Sequence, residues 1–265
     1  MILTPDNYYS PEANREYLSV SQYKDFCGCY GYPGCEAAAM AKISGEWQED
    51  VTTALLIGSY VDSYFEGTLD QFKVMHPEIF TQKGMLRSEY KHAELMIARA
   101  EQDPMFMRYM SGQKQVIMTG EIAGALFKIK IDSYHPGLCI VDLKTVQSVT
   151  KGYYVADLGK VDFMTYWGYD LQLAAYQEIV WQNTGQRLRV FVDAITKERH
   201  PVPMLIEIRQ NRLNEALETI RFNIPRILRI KNGEQEPERC GHCDYCHDTE
   251  VIRGPIYSDM IDLEV

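Results

Sequence analysis

The chain has 265 residues, of which 46% are hydrophobic, and a formal net charge of -10 at pH 7. Its length allows a substantial buried core, while the acidic balance argues against a protein that coats nucleic acid through a generally basic surface. No run of residues approaches the roughly 18 consecutive apolar positions of a membrane span, and residues 1–6 lack the basic and apolar regions of an export signal. We therefore expect a cytoplasmic protein with no membrane partner.

The N-terminal part, residues 1–110, is predicted to be helical. Ser19 is a suitable N-cap for the first helix. In the third helix Gly58 precedes Asp62 by four residues, and Glu66 follows Asp62 by the same spacing, which places both acids on one face. Asp62 is the better candidate for a metal ligand, since an acidic helix face such as that of Glu66 is more often only solvated. The predicted helices span residues 19–26, 35–43, 51–66 and 88–110.

The next part, residues 111–230, alternates between strand and helix patterns. Strands are predicted at residues 114–118, 125–132, 138–144, 187–195 and 203–208. Helices are predicted at residues 163–182 and 210–230. This succession predicts an α/β fold in which a mixed central sheet is flanked by helices.

Two aspartates and a lysine lie at the most informative point of this part. Residues 135–137 (His-Pro-Gly) predict a turn between two strands, so that Asp132 faces Asp142 across a hairpin. Because side chains two apart on a strand share a face, Asp142 and Lys144 project together, while Leu143 is packed on the other side. Such a group suits metal-assisted hydrolysis of a phosphodiester. In the alternative interpretation these residues have no catalytic role. Asp132 would only initiate a turn, and Asp142 would pair with Lys144 on a solvated edge.

The helix predicted at residues 163–182 carries Gln172 and Tyr176 four residues apart, so both project from one face. In this order, Asp132, Asp142-Leu143-Lys144 and Gln172-x-x-x-Tyr176 resemble the core motifs of the PD-(D/E)XK nucleases, and most closely those of phage-type RecE-like exonucleases. Related RecB-like and RecE-like enzymes carry Gly-x-x-x-His on an upstream helix. Here Gly58 is followed by Asp62 in the place of that histidine.

The resemblance implies a restriction-endonuclease-like core and a set of site residues. Asp132 and Asp142 would bind Mg²⁺ or Mn²⁺, and Asp62 and Glu121 would complete the metal shell. For Glu121, a position in a solvated loop without a role in metal binding is an equally good interpretation. Lys144 would activate or position the nucleophile. Gln172 would hold the attacking water or the lysine, and Tyr176 would contact a phosphate or brace its helix.

The function implied by the resemblance is exonucleolytic digestion of linear duplex DNA in phage-type recombination and repair. A ring-shaped homo-oligomer and a single-strand annealing protein are the partners that it suggests. Two alternatives remain open: an iron-sulfur nuclease of the RecB-like kind acting on single strands or ends, and a catalytically weak DNA-binding module. Although the net charge is acidic, an enzyme that encloses its substrate needs basic residues only around its active site. Lysines near the motifs, at positions 128, 130, 144, 151 and 197, are predicted to line that site.

Seven cysteines in a chain without an export signal argue against a disulfide framework. Cys240, Cys243 and Cys246 lie three residues apart and indicate a metal site. Candidates for a further ligand are Cys27, Cys29, Cys35, His242 and His247, and free thiols without a metal are the alternative. Cys139 is explained as a small apolar residue of its strand.

Some RecB-like nucleases hold a four-iron cluster with one early cysteine and three late ones. This resemblance implies Cys35 as the early ligand. Those enzymes commonly place the last two ligands six residues apart, whereas Cys243 and Cys246 are three apart, so Zn²⁺ remains an alternative to a [4Fe-4S] cluster. We interpret residues 1–265 as one nuclease domain, in which a connector at 231–238 leads to a cysteine-rich C-terminal segment (231–265).

Overall fold

The computed structural model of the protein describes residues 1–252, 254, 255 and 257. The N-terminal part is helical, as predicted. Its helices are α1 (Pro11–Glu16), α2 (Val20–Cys27), α3 (Glu36–Ser44), α4 (Thr53–Glu66), α5 (Leu69–Met75), α6 (Ser88–Glu101) and α7 (Pro104–Tyr109). Among the described residues, no helix is both long and apolar enough to cross a membrane.

The remaining elements alternate between strands and helices. The strands are β1 (Val116–Ile122), β2 (Ala125–Ile131), β3 (Ser133–His135), β4 (Cys139–Val146), β5 (Tyr153–Val155), β6 (Gly159–Val161), β7 (Arg189–Thr196) and β8 (Pro203–Glu207). The helices are α8 (Phe163–Tyr166), α9 (Tyr169–Thr184), α10 (Gln210–Lys231) and α11 (Asp244–Asp248).

The central sheet has the strand order β3-β4-β7-β8. β4 and β7 run parallel, and the other neighbouring pairs in this sheet are antiparallel. A parallel pair requires a long crossover connection, and α8 and α9 lie within the chain that links β4 to β7. Beside this sheet, β1 and β2 form an antiparallel hairpin. The predicted mixed sheet flanked by helices is confirmed.

Each face of the central sheet buries a separate apolar cluster. On one face, Ile140 of β4 and Val192 of β7 belong to a cluster that includes α9 and α10. On the other face, Val141 and Leu143 of β4 and Phe191 of β7 pack with α4, α6 and α7. The alternation along β4 therefore assigns Asp142 and Lys144 to the first face and Leu143 to the second.

Two helices that were predicted as continuous are each broken in the structure. The helix predicted at 88–110 is divided into α6 and α7, because Pro104 lacks a backbone N–H and Asp103 caps the new helix by accepting hydrogen bonds from Met105 N and Phe106 N. The helix predicted at 163–182 is divided at Gly168, whose φ of 62° lies in the left-handed region.

Other differences concern strand positions and short elements. The strand predicted at 114–118 is instead Val116–Ile122, because a turn at Ala123 and Gly124, both with positive φ, pairs Ile122 with Ala125 and extends the hairpin to that point. The β5–β6 hairpin and the short helices α1 and α5 were not predicted. The capping role of Ser19 is confirmed, since its hydroxyl accepts from Gln22 N at 3.2 Å.

The segment predicted as a connector, 231–238, is instead attached to the N-terminal part. Glu238 N donates to Glu36 Oε2 at 2.8 Å, and Arg226 pairs with both Glu36 and Glu238. Ala37 N also donates to Glu238 O at 3.0 Å. The C-terminal segment is therefore held against α3. The assignment of the whole chain to one domain stays a prediction.

Candidate active site

Strand β4 places Asp142 and Lys144 side by side on one face of the sheet. Lys144 Nζ lies 2.7 Å from Asp142 Oδ2, and the Asp142 side chain is only 2% exposed. The two residues thus form a buried ion pair rather than the solvated pair of the alternative interpretation. Burial opposes the charge of Lys144, but the carboxylates of Asp142 and Asp132 outweigh it and raise the pKa of the lysine. Lys144 is a cation at neutral pH.

Asp132 follows β2 and lies next to this pair. The ladder between β3 and β4 ends at Ser133 and Val141, one residue short of Asp132 and Asp142. The Asp132 carboxylate accepts a hydrogen bond from Leu143 N at 2.9 Å, which fixes it against β4. Burial, followed by the charge of Asp142, raises the pKa of Asp132 to about 7, against the opposing effect of Lys144.

Helix α4 brings Asp62 to the same cavity. The helix crosses β4 at Gly58, where a Cβ atom would lie 3.3 Å from Thr145 Oγ1, so a glycine permits this close approach. Asp62 lies one turn further along. Burial raises the pKa of its carboxyl well above the usual range, and the charge of Asp132 adds to this effect.

Helix α9 contributes the predicted Gln172 and Tyr176. Gln172 Nε2 donates to Asp142 Oδ1 at 2.7 Å, so this amide holds the carboxylate rather than the lysine. Tyr176 is buried one turn later, and burial followed by the charge of Asp142 raises the pKa of its phenol. Both side chains reach the site because Gly168 starts α9 in the required direction.

These residues line a cavity of about 600 Å³ together with a set of basic and aromatic side chains. Of the lysines predicted near the motifs, Lys128 and Lys130 line it beside Lys144. The remaining lining lysines, Lys24 and Lys42, come from α2 and α3. The predicted Lys151 and Lys197 do not belong to the lining. The acidic chain thus places five lysines in the lining of the cavity beside its four aspartates.

The overall sequence and structure agree with a known family. A family model described as "PDDEXK-like domain of unknown function (DUF3799)" matches residues 19–249. The chain belongs to this PDDEXK-like family. The prediction of a PD-(D/E)XK superfamily fold is therefore confirmed.

One solved structure is closely similar to this PDDEXK-like chain. The crystal structure of "Putative exonuclease" from Eubacterium rectale is 57% identical, with a TM-score of 0.95 and coverage of 97% of both chains. The crystal structure of SSO0001 is 15% identical and covers 68% of this chain and 80% of that chain, but its TM-score of 0.28 is too low to indicate a common fold. No curated protein matches the sequence.

The PDDEXK-like family implies a divalent cation, and the acidic side chains of the cavity fit one. Asp62, Asp132 and Asp142 offer carboxylate oxygens, which are the ligands preferred by Mg²⁺ and Mn²⁺. The pKa values of Asp62 and Asp132 are raised partly because each carboxylate repels its neighbours. A bound cation would remove this repulsion. Carboxylate oxygens of this kind would suit a hard cation.

Glu121 is not part of this cavity. It lies on β1 opposite Leu126, at the end of the hairpin remote from Ile131 and Asp132. Its side chain is exposed, and its backbone N–H donates to Gln182 Oε1 at 2.9 Å. The predicted proximity of Glu121 to Asp132 is therefore wrong. β1 and β2 are antiparallel, so Glu121 pairs with Leu126 near the turn, whereas Asp132 follows the opposite end of β2. Glu66 lies nearer, since its charge acts on both Asp62 and Asp132.

The predicted cysteine site of this PDDEXK-like domain comes together at the other side of α3. Of the described residues, Cys35, Cys240, Cys243 and Cys246 are grouped so that their sulfur atoms all lie within 4.8 Å of one another. The early member is Cys35, as the resemblance implied. Cys27, Cys29, His242 and His247 do not belong to the group, and Cys139 is buried in β4 as an apolar residue.

Proposed function

We propose that the protein is a metal-dependent deoxyribonuclease that hydrolyses phosphodiester bonds at the ends of linear duplex DNA. The observation that supports this function best is the convergence of Asp62, Asp132, Asp142 and Lys144 in one cavity lined by further lysines. Asp62, Asp132 and Asp142 would hold Mg²⁺ or Mn²⁺. The ion would supply a Lewis acid for the phosphate and lower the pKa of a nucleophilic water.

Lys144 acts as a positioned cation. The carboxylates of Asp142 and Asp132 raise its pKa against the effect of burial. Its ammonium group donates hydrogen bonds, and it would activate or position the nucleophile. It orients the water or neutralises the charge that develops on the phosphate oxygens in the transition state. The ion pair with Asp142, at 2.7 Å, holds it in place for this role.

Gln172 and Tyr176 are positioning residues in this scheme. The hydrogen bond from Gln172 Nε2 fixes one oxygen of Asp142, while Lys144 Nζ lies against the other. The carboxylate is therefore oriented before a cation arrives, which reduces the reorganisation needed for catalysis. The buried ring of Tyr176 packs α9 beside the sheet.

The lysines that line the cavity would bind the DNA backbone. Lys24 and Lys130 have ammonium groups suited to phosphate, and neutralising phosphates is the main source of affinity for DNA, whereas Lys42 is already paired with Asp25 and Glu49. Lys128 is 1% exposed, and burial lowers its pKa to about 8, with a smaller contribution from Lys231. About half of the positive charge of this lysine is thus lost near pH 8.

The exonuclease activity, the duplex substrate and the role in recombination are drawn from the resemblance to RecE-like enzymes. The description of the Eubacterium rectale protein as an exonuclease is in keeping with action on ends. DNA is the proposed partner. The ring-shaped oligomer, the single-strand annealing protein and the cytoplasmic location stay predictions.

The test compares end-labelled linear duplex DNA with covalently closed duplex DNA, each incubated with Mg²⁺ or Mn²⁺. The native protein is compared with Lys144→Ala and with Lys83→Ala, which removes an exposed lysine outside the cavity. We expect the native protein and Lys83→Ala to degrade linear DNA alone. Lys144→Ala should be slower by on the order of 10²–10³-fold, the cost of removing one preorganised donor from a transition state.

Each of the other results has a distinct meaning. Cleavage of covalently closed DNA would show that the protein is an endonuclease and not an exonuclease. Binding of DNA by all three proteins without cleavage by any would favour the DNA-binding module. Equal activity of Lys144→Ala and the native protein would contradict the assignment of the site.

A further inference from the structure

The cysteine group joins two distant parts of the chain. Cys35 is the N-cap residue of α3, whereas Cys240, Cys243 and Cys246 lie after α10 in the C-terminal segment. Cys35 and Cys246 are buried, with side chains 6% and 1% exposed. No disulfide links them, since all seven cysteines are free. Four thiol groups therefore lie together where the two parts of the chain meet, and two of these thiols are buried.

The spacing of the sulfur atoms distinguishes a single ion from a cluster. Cys35 Sγ lies 3.7 Å from Cys246 Sγ, and Cys240 Sγ lies 3.9 Å from Cys246 Sγ. A tetrahedral Zn²⁺ with Zn–S bonds of about 2.3 Å separates any two of its sulfur ligands by about 3.8 Å. These two separations match those of thiolates around one ion, and the other sulfur atoms of the group lie within 4.8 Å.

An iron-sulfur cluster of four irons does not fit this spacing. In such a cluster each thiolate binds a different iron at the corner of a cube. The four sulfur ligands are then separated by the whole width of the cube and its outward bonds. Here all four sulfur atoms lie within 4.8 Å of one another, so the space between them admits one ion and not a cube of iron and sulfide.

The local backbone also suits a thiolate site. Residues 240–243 (Cys-Gly-His-Cys) form a tight turn in which Gly241 has φ of +80°, a conformation that favours glycine. The turn directs His242 N towards Cys240 Sγ at 3.5 Å, and such a hydrogen bond stabilises a metal-bound thiolate. Cys-x-x-Cys turns occur in both structural zinc sites and iron-sulfur proteins, so the choice between them depends on the spacing of the sulfur atoms.

We propose that Cys35, Cys240, Cys243 and Cys246 hold one tetrahedral Zn²⁺, and that this ion fixes the start of α3 to the C-terminal segment. The assignment is independent of the nuclease activity, because no carboxylate of the cavity takes part. Backbone and ion-pair contacts of Glu36 with Glu238 and Arg226 join the same two parts, so the ion reinforces an existing junction.

The ion also lies close to the cationic side of the DNA cavity. α3 carries Lys42, whose Nζ is 2.9 Å from Asp25 Oδ1 and 2.7 Å from Glu49 Oε2. A smaller cavity of about 180 Å³ has both Cys35 and Cys243 in its lining, together with Lys42. The zinc site therefore braces the helix that presents Lys42.

The test is the metal content of the intact protein, purified without affinity tags that bind metals from cells supplied with both zinc and iron. Elemental analysis should give one zinc per chain and iron at background level, with no iron-sulfur absorbance. Exchange for Co²⁺ should give the intense visible spectrum of a tetrahedral thiolate site. Iron and labile sulfide in equal amounts, or a chain without metal, would overturn the proposal.

Variants separate the site from adventitious binding. Cys240→Ser, at a partly exposed ligand, should lose zinc, whereas Cys27→Ser, at a cysteine outside the group, should retain it. If Cys240→Ser does not fold, chelation of the native protein provides the same comparison. Removal of zinc should lower the temperature of thermal unfolding, because the folded state alone assembles the four ligands. Zinc lost without any change in unfolding would refute the bracing role.

Discussion

Strands β4 and β7 each bury one aspartate, and the two aspartates face opposite layers of helices. Asp142 is paired in register with Val192, and Asp193 with Leu143. Their exposures are nearly equal, at 2% and 0%. Asp142 has Lys144 Nζ and Gln172 Nε2 at 2.7 Å, whereas neither oxygen of Asp193 has a hydrogen-bond partner in the described part of the chain.

The difference teaches what a buried carboxyl group needs. Burying an unpaired charge is costly, so a carboxyl group without a partner keeps its proton instead. Burial, and then the charge of Asp103, raises the pKa of Asp193 to about 8, and Lys114 only partly opposes this. Asp142, by contrast, lies between a cation and an amide donor. Similar burial thus yields a prospective metal ligand on one face and a neutral acid on the other.

The largest expected effect separates the two aspartates by activity. Asp142→Asn should reduce kcat/KM on linear DNA by on the order of 10²–10³-fold, since it removes the charge that holds Lys144 and would bind the cation. Asp193→Asn should leave kcat/KM close to the native value, because Asp193 does not line the cavity. Equal losses of kcat/KM in the two variants would contradict the proposal that only Asp142 takes part in catalysis.

A smaller effect is expected at Gln172, which orients Asp142. Gln172→Ala removes a hydrogen bond to a charged group, worth about 1.5–3 kcal/mol, and should lower kcat/KM by roughly 10- to 100-fold. Gln172→Glu should lower it further, because a second carboxylate would then face Asp142 at the distance of the present hydrogen bond. Steady-state kinetics at a fixed Mg²⁺ concentration measure both, and an unaffected Gln172→Ala would remove Gln172 from the scheme.

The third prediction concerns Asp193 and pH. An unfolded aspartate titrates near 3.9, so between that value and about 8 the folded chain holds a proton that the unfolded chain has lost. The contribution of Asp193 to the free energy of unfolding therefore falls by about 1.4 kcal/mol for each unit of rising pH in this range. It is complete at low pH and lost as pH rises through about 8.

Asp193→Asn should remove this dependence. Urea unfolding at pH 6 and pH 8 measures it as the difference between the native protein and the variant, so that other titrating groups cancel. The native protein should lose more stability than the variant over this interval. The same change in both proteins would indicate that Asp193 is already ionised at pH 6.

The smallest effect is expected for Glu121→Gln. Glu121 is exposed and distant from Asp132 along the hairpin, so the activity should not change. Glu66→Gln provides the informative comparison, because the charge of Glu66 reaches Asp132. A marked loss of activity in Glu121→Gln at unchanged stability would return Glu121 to the catalytic group.

The residues that were predicted correctly belong to short, regular patterns. A period of two along β4 was enough to place Asp142 and Lys144 together, and a spacing of four was enough for Gln172 and Tyr176. These relations depend only on local geometry. The family resemblance then supplied Cys35, which no local pattern could have selected from among five candidate ligands.

The incorrect predictions depend on single residues or on long-range geometry. Helical periodicity continues across Asp103 and Gly168, although a cap and a left-handed glycine end the helix at those points. Glu121 was misplaced because the separation of two residues in sequence does not give their separation across a hairpin. Lys24 and Lys42 were missed because they reach the cavity from helices far from the motifs in sequence, and their spacing carries no signal of that approach.

The junction between α3 and the C-terminal segment has a consequence for synthesis of the chain. Glu36 and Ala37, near the start of the chain, obtain hydrogen-bond partners from Glu238, near its end. Helices and hairpins can form as the polypeptide leaves the ribosome from its N-terminus. This junction, however, cannot form until Glu238 has been synthesised. The start of α3 is therefore completed only after α10 has been synthesised, so a product truncated before the late cysteines would leave this end of α3 unsecured.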